Sequence, residues 1–530
     1  MIKPVHTLKF LCFVLLLTAF LMHVFPKDGI RITNDFCLYF PSLDDWWHGR
    51  DDESAHGNAY IPDMVEEDLV GQSADSQNAD SLAADSLEMA AMVDSSVYEF
   101  VPRPIQVDQI RQPLELPPGG IKCLENLFAS LVNPDELSKV VRIVHYGDSQ
   151  IEADRISNYL RYKLQQQFGG SGPGLVPART AYDYKSPVAV ENIGDWKRYT
   201  VFPRIDTAVK HNRYGVLAAF CRFSPLREEP EPEPGQDSLP ASDTIFALPK
   251  LEFMETPVQE PVYSGSLKFV PAKSGHANVR TIHRVRMLYG NNSRPFSVSV
   301  RDGGNVLFSD SLPAEDTYAL KQWYFQETPQ DFCMDFSGAD SPDIYGFAMD
   351  GLNGVAVDNV PLRGCSGTIF TKINGGTLAS MYRDLNVKCV ILQFGGNAVP
   401  SIQPGSAGTF CGFISSQIKY IKRIYPGVSI ILIGPADMSR KVEGTERFET
   451  YEVLPEVVKG LRKAAFDNDC AFWDMYSAMG GWNTMPDWVA HDPAYAAKDY
   501  VHFTGNGANV MARMFYSALI SRYNEYITNK

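Results

Sequence analysis

A chain of 530 residues, 45% of them hydrophobic, is too long for one ordinary domain and apolar enough to bury a large core. Its net charge is −15, and no basic patch interleaved with aromatics appears, so nucleic acid is not an expected partner. The nine cysteines form no C-x-x-C pair; no Cys/His cluster marks a metal and no G-x-G-x-x-G after a strand marks a dinucleotide, so no metal or cofactor is expected.

Lys3 and Lys9 precede an apolar run from Phe10 to Phe25 that Pro26 closes. Its length falls between a signal h-region and a full membrane span. No A-x-A-like cleavage site follows, so residues 1–26 read as an uncleaved membrane anchor, with a cleaved signal as the alternative. Cys12 lies inside the run, which argues against lipoprotein processing. Either reading sends the remainder to the periplasmic face of the inner membrane or to an equivalent exported space, where disulfides are permitted. Residues 44–95 then hold fourteen Asp and Glu against Arg50 alone, so nearly all the net charge is a tail property. With its Ala-Asp-Ser repeats (Asp75, Asp80, Asp85) this stretch belongs to a disordered linker over 27–120. Trp46-Trp47 is the only partner-binding candidate in it, and order is expected from about Ile121.

The β-branched run from Val140 to Val144 predicts a buried parallel strand, followed at once by Gly147-Asp148-Ser149. Ile156, Leu160, Leu164 and Phe168 recur at four-residue spacing, a helix face. A serine between a strand and a helix sits at the carboxyl edge of a sheet, where open α/β folds place ligands. It also sits at a helix N-terminus, whose free N–H groups and positive end favour an oxyanion. The competing reading is a Ser/Asp helix cap. Farther on, Cys389 to Phe394 reads as a strand ending in Gly395-Gly396-Asn397, and Cys389 as a buried apolar residue in it. An Asn amide there can donate to a carbonyl oxygen turning negative; otherwise it only forms a turn. Near the C-terminus, Asp499-x-x-His502 lets one turn carry an acid and a base, the carboxylate fixing the imidazole tautomer so that the other ring nitrogen faces a serine. The order and spacing of the three fragments disfavour the bland readings jointly.

These residues resemble the SGNH (GDSL-type) hydrolase family, whose functional residues lie in separate blocks. Ser149 matches the nucleophile, Asn397 the oxyanion donor, and Asp499 and His502 the acid and base. The family's glycine follows the second sheet strand; Val355 to Gly364 fits, making Gly364 the choice for the oxyanion hole with the Ser149 N–H, and Gly367 its rival. Ala398 departs from the acidic residue that often follows the asparagine.

Between Ser149 and Gly364 the period changes from about Lys197. Ser266–Val270, Thr281–Leu288, Phe296–Val300, Val306–Phe308 and Ala319–Phe325 read as short strands parted by turns, a β-sandwich, and Glu228–Gly235 as a surface loop. Helix and strand alternate again after Gly354: Phe413–Ile424 helix, Val428–Ile433 strand, Val453–Asn468 helix, Cys470–Met475 strand. The expected fold is a three-layer α/β/α hydrolase with a central parallel sheet, interrupted by an inserted β-sandwich. The hydrolase parts are 121–195 and 346–530 and the insertion is 196–345. That insertion, with Phe472-Trp473-Asp474-Met475, is similar to exported peptidoglycan O-acetylesterases, which carry a carbohydrate-binding-type sandwich there. The resemblance implies a serine esterase removing O-acetyl groups from an envelope glycan. An O-acetyltransferase using the same residues beside a membrane-bound acyltransferase partner is one alternative. A catalytically inactive glycan-binding protein is the other.

Overall fold

The computed structural model describes residues 30–33 and 36–38, and 102–529 apart from 109, 183–186, 225, 227–261 and 273–275. The expected anchor, the acidic segment, Trp46-Trp47 and the loop Glu228–Gly235 lie outside the described residues.

Five strands, β1 (Val140–Gly147), β2 (Gly354–Pro361), β3 (Val387–Gln393), β4 (Ser429–Ile433) and β5 (Ala471–Trp473), form a parallel sheet in the order β2-β1-β3-β4-β5. Every residue of β1 is buried, as a strand covered on both faces requires. The order reverses between β1 and β3, and their carboxyl ends flank the crevice where such sheets bind ligands.

Helices cover both faces. On one, Val141 and Ile143 meet α1 (Glu125–Val132) through Leu127 and Phe128, α2 (Ser157–Phe168) through Leu160 and Leu164, and the C-terminal helix (Gly505–Thr528) through Met511 and Phe515. On the other, Val144 and Tyr146 share a core with α3 (Gly375–Asp384), α4 (Ala407–Ile424) and α5 (Leu454–Asp467), through Leu378, Ile414 and Leu461. The C-terminal helix is α6. This is the expected three-layer α/β/α arrangement, and truncating one of these fully buried leucines to Ala costs about 2–5 kcal/mol.

The insertion is a sandwich of two antiparallel sheets. One orders Asn305–Leu312, Phe296–Asp302, Phe332–Gly338, Tyr263–Pro271 and Val188–Ile193; the other orders Ala319–Tyr324, Arg284–Gly290, Asp343–Asp350, Ala219–Arg222 and Lys197–Thr200. Its limits differ from 196 and 345: Val188–Ile193 pairs along Tyr263–Pro271, and Asp343–Asp350 is a sandwich strand throughout. The expected strand from Thr281 begins at Arg284 because Ala277–Arg280 is a helical turn.

A buried ionic cluster welds the insertion to the sheet. Arg142 of β1 donates to Asp358 of β2 and to Asp350 at the end of the sandwich, each at 2.5 Å. Arg286 of the sandwich reaches the same Asp350 at 2.9 Å. All four side chains are essentially removed from solvent, so each charge depends on its partners.

Order begins earlier than Ile121. Leu114 is fully buried, Glu115 bridges Phe472 across the edge of β5, and Asn524 of α6 exchanges two hydrogen bonds with the Ile105 backbone. This strap covers an edge strand that would otherwise present unpaired N–H and C=O groups. Within the expected linker Ile30–Thr33 also pairs antiparallel with Phe36–Leu38.

Candidate active site

β1 ends at Gly147, where an added Cβ would lie 2.9 Å from Ile151 Cδ1 and 3.1 Å from the Gln393 carbonyl. A side chain there would press on both, so glycine suits the close approach to β3. The turn that follows corrects the helix-terminus reading. Ser149 opens a 3-10 segment, Ser149–Asp154, that Glu152 (ψ 156°) and Ala153 (φ 56°) break. The regular helix α2 starts only at Ser157, so Ser149 lies outside the reach of its dipole. Asp148 caps the short turn, its Oδ1 accepting from the Gln150 N–H at 3.0 Å.

The three residues of the expected triad meet. Ser149 Oγ lies 2.8 Å from His502 Nε2, and His502 Nδ1 lies 2.7 Å from Asp499 Oδ2. Asp499 Oδ1 also accepts from the backbone N–H groups of Val501 and His502, at 2.9 and 3.0 Å. Burial alone would raise the Asp499 carboxyl, but those donors and the imidazole outweigh it and hold the group below its ordinary range. It therefore stays an acceptor and keeps the proton on Nδ1, leaving Nε2 to face the serine.

Asn397 follows β3 in the 3-10 turn Gly396–Ser401. Its Nδ2 donates to Asp148 Oδ2 at 2.9 Å and more weakly to the Cys365 carbonyl at 3.3 Å. Cys365 closes the turn Leu362–Cys365, with Gly364 at φ +79° inside it and exposed. Gly367 is buried and its N–H points at Cys365 Sγ, 3.2 Å away. Ala398 packs against the core, which accounts for an apolar residue there.

Several supporting residues gave no signal in the sequence. Gln150 donates to the Val501 carbonyl at 2.6 Å and accepts from the Phe503 N–H at 3.3 Å, tying the serine turn to the histidine loop. Arg155 binds the carbonyls of Ser149 and Phe503. The hairpin Ser439–Lys441/Phe448–Thr450 grips the loop from outside: Phe448 stacks on Tyr500 at 3.6 Å and 5°, and Ser439 N–H donates to the Tyr500 carbonyl. Tyr500 needs this grip, since φ +58° is a costly conformation for a bulky residue.

A cleft of about 220 Å³ opens at Ser149, Asn397 and His502, walled by Phe394, Pro400, Ala436, Met438, Tyr451 and Met475. Cys389 is fully buried in β3, and it is free, as are Cys123, Cys221, Cys333, Cys365, Cys411 and Cys470.

No family model matches the chain, and no curated protein does. Among solved structures, "Peptidoglycan O-acetylesterase in action, 5 min" is similar over 77% of this chain and 97% of its own, at 18% identity and a TM-score of 0.54. Because that likeness takes in most of this chain and nearly all of the other, it decides the fold. The chain has an SGNH hydrolase fold. Two further solved structures carry the likeness over less of the chain. A lipase/acylhydrolase from Enterococcus faecalis covers 32% of this chain and 78% of its own (19% identity, TM-score 0.24). A carbohydrate acetylesterase from Sinorhizobium meliloti covers 32% and 78% (12% identity, TM-score 0.23). Here Ser149 and Asn397 follow β1 and β3, at the reversal of strand order, and Asp499 and His502 stand in the last loop before α6.

Proposed function

We propose that this protein is a serine esterase that removes O-acetyl groups from sugar hydroxyls of a cell-envelope polysaccharide, with peptidoglycan the first candidate. The observation that carries this reading is the unbroken chain Ser149–His502–Asp499 at 2.8 and 2.7 Å, opening on a cleft beside Asn397. Ser149 Oγ attacks the acetyl carbonyl while His502 takes its proton. The oxyanion is held by the N–H groups of Ser149 and Gly364 and by the Asn397 amide. His502 returns the proton to the departing sugar oxygen, and acetyl-Ser149 remains. Water, activated by the same imidazole, then releases acetate. The likeness to a solved peptidoglycan O-acetylesterase supports the choice of glycan. The apolar run from Phe10 to Phe25 supports work at the periplasmic face of the inner membrane.

That run also favours a second reading, an O-acetyltransferase whose acetyl-Ser149 is attacked by a sugar hydroxyl instead of water. The test incubates the full chain with O-acetylated peptidoglycan, and separately with an acetyl donor plus unacetylated glycan oligomers. Free acetate from the polymer supports the esterase. Acetylated oligomers outpacing free acetate in the second mixture overturn it in favour of transfer. Neither product forming would support the inactive glycan-binding alternative.

A further inference from the structure

The insertion reaches the turn that carries Gly364, the proposed oxyanion donor. Beyond the strand Lys197–Thr200, Phe202 lies over the oxyanion turn, its ring 4.0 Å from where a Cβ on Gly364 would stand. Hydrogen bonds fix its backbone: Thr200 Oγ1 donates to the Phe202 carbonyl at 2.8 Å, and the Val201 N–H donates to Ala218 at 3.1 Å. On the same turn Arg363, the residue before Gly364, holds Tyr182 with its guanidinium 3.9 Å from the ring centroid. Arg363 is in turn clamped by the buried Glu152 through two bonds of 2.7 Å, and Glu152 belongs to the turn opened by Ser149. Tyr182 is 41% exposed and the Arg363 side chain 44%.

Phe202 packs on the core from one side and Tyr182 on Arg363, and neither residue is fully buried. Here two partly open aromatic surfaces and a fixed ion pair are held rigid beside the oxyanion turn. Apolar ring faces next to a few fixed hydrogen-bonding groups suit a sugar, whose axial C–H groups pack on the aromatic face while its hydroxyls reach charged donors and acceptors. Because the rings, the guanidinium and the carboxylate are already held in place, little side-chain freedom is lost on binding.

We infer that Tyr182, Phe202 and the Arg363–Glu152 pair form a subsite for the sugar unit next to the acetylated one. Phe202 is the insertion's contribution to it, and the other three residues come from the hydrolase part. This rests on the proposed glycan esterase reading.

The experiment compares the full-length parent with Tyr182→Ala and Phe202→Ala, on O-acetylated peptidoglycan fragments and on p-nitrophenyl acetate. The expected result is a loss in kcat/KM on the glycan at least tenfold greater than on the small ester, carried mainly by KM. Tyr182→Trp and Phe202→Tyr, which keep an aromatic face, should recover most of it. Equal losses on both substrates would overturn the subsite, because the rings would then support only the oxyanion turn. Parental glycan kinetics in both alanine variants would also overturn it while leaving the esterase reading intact. A parent that cleaves the small ester but no acetylated glycan would instead remove the proposed substrate, and the subsite with it.

Discussion

Asn397 Nδ2 donates to Asp148 Oδ2 at 2.9 Å, so the amide expected to hold the oxyanion is aimed by the residue that precedes the nucleophile. Burial pushes the Asp148 carboxyl up to about 6, against the opposing pull of the Gln150 N–H, His502, the Asn397 amide and Arg155. The folded protein thus retains a proton that the unfolded chain releases near pH ~4. The stability this contributes is full below about pH 4 and is lost as pH rises through about 6. Asp148→Asn removes that dependence. Its Tm relative to the parent should be several degrees more favourable at pH 8 than at pH 4.5, while kcat falls as the Asn397 amide loses a charged acceptor. A Tm difference that stays flat across this range would contradict the assignment.

Asn397→Ala should leave the fold intact and lower kcat by about 10²–10³, the typical effect of removing one oxyanion donor. KM should change little, because the bond is made to the charge that develops during reaction. A variant retaining more than about a third of parental kcat would show that Asn397 serves only as a turn former.

Asp499→Asn should reduce kcat by about 10⁴ with little change in KM, since the amide stabilises the wrong imidazole tautomer. Steady-state kinetics on an activated acetyl ester would measure both constants. A raised KM at constant kcat would point to a binding role instead.

Phe448→Ala removes the ring that stacks on Tyr500 between the catalytic acid and base. With φ +58° at Tyr500 less constrained, the Asp499–His502 loop should populate other conformations. We expect a fall in kcat of about tenfold and faster amide exchange at Val501 and His502. Parental exchange rates together with parental kcat would dismiss the clamp.

Asp350→Ala leaves Arg142 and Arg286 buried with one carboxylate, Asp358, between them. Breaking a buried pair in this way costs about 3–5 kcal/mol, which denaturant unfolding would register as a lowered midpoint. An effect under about 1 kcal/mol would mean that the insertion is held to the hydrolase by apolar packing alone.

Sheet and triad were legible because their signals are local. The β-branched run at Val140 to Val144 and the apolar run from Cys389 to Phe394 stand on buried strands, and Asp499-x-x-His502 needs only one turn to bring acid and base together. The insertion was legible as a change of period, but its start was not: Val188–Ile193 is recognised as a sandwich strand only from its pairing with Tyr263–Pro271 far along the chain. The break after Ser149 was hidden because apolar spacing marks the helix only from Ile156, whereas Ala153 at φ 56° is held by surroundings such as Arg161, which binds Asp154. Asp148, Gln150 and Phe448 were missed for a related reason. Their roles exist only in contacts with Asn397, Val501 and Tyr500, which no local spacing encodes.

The central claim is that Ser149 becomes acetylated during turnover. The most direct measurement acid-quenches the parent protein within its first turnovers of an activated acetyl ester, before deacylation empties the site, and maps the acetyl group by peptide mass. The account predicts one acetyl group, on the peptide carrying Ser149, absent from the Ser149→Ala variant. An acetyl group on another residue, or ester hydrolysis by Ser149→Ala at the parental rate, would contradict it.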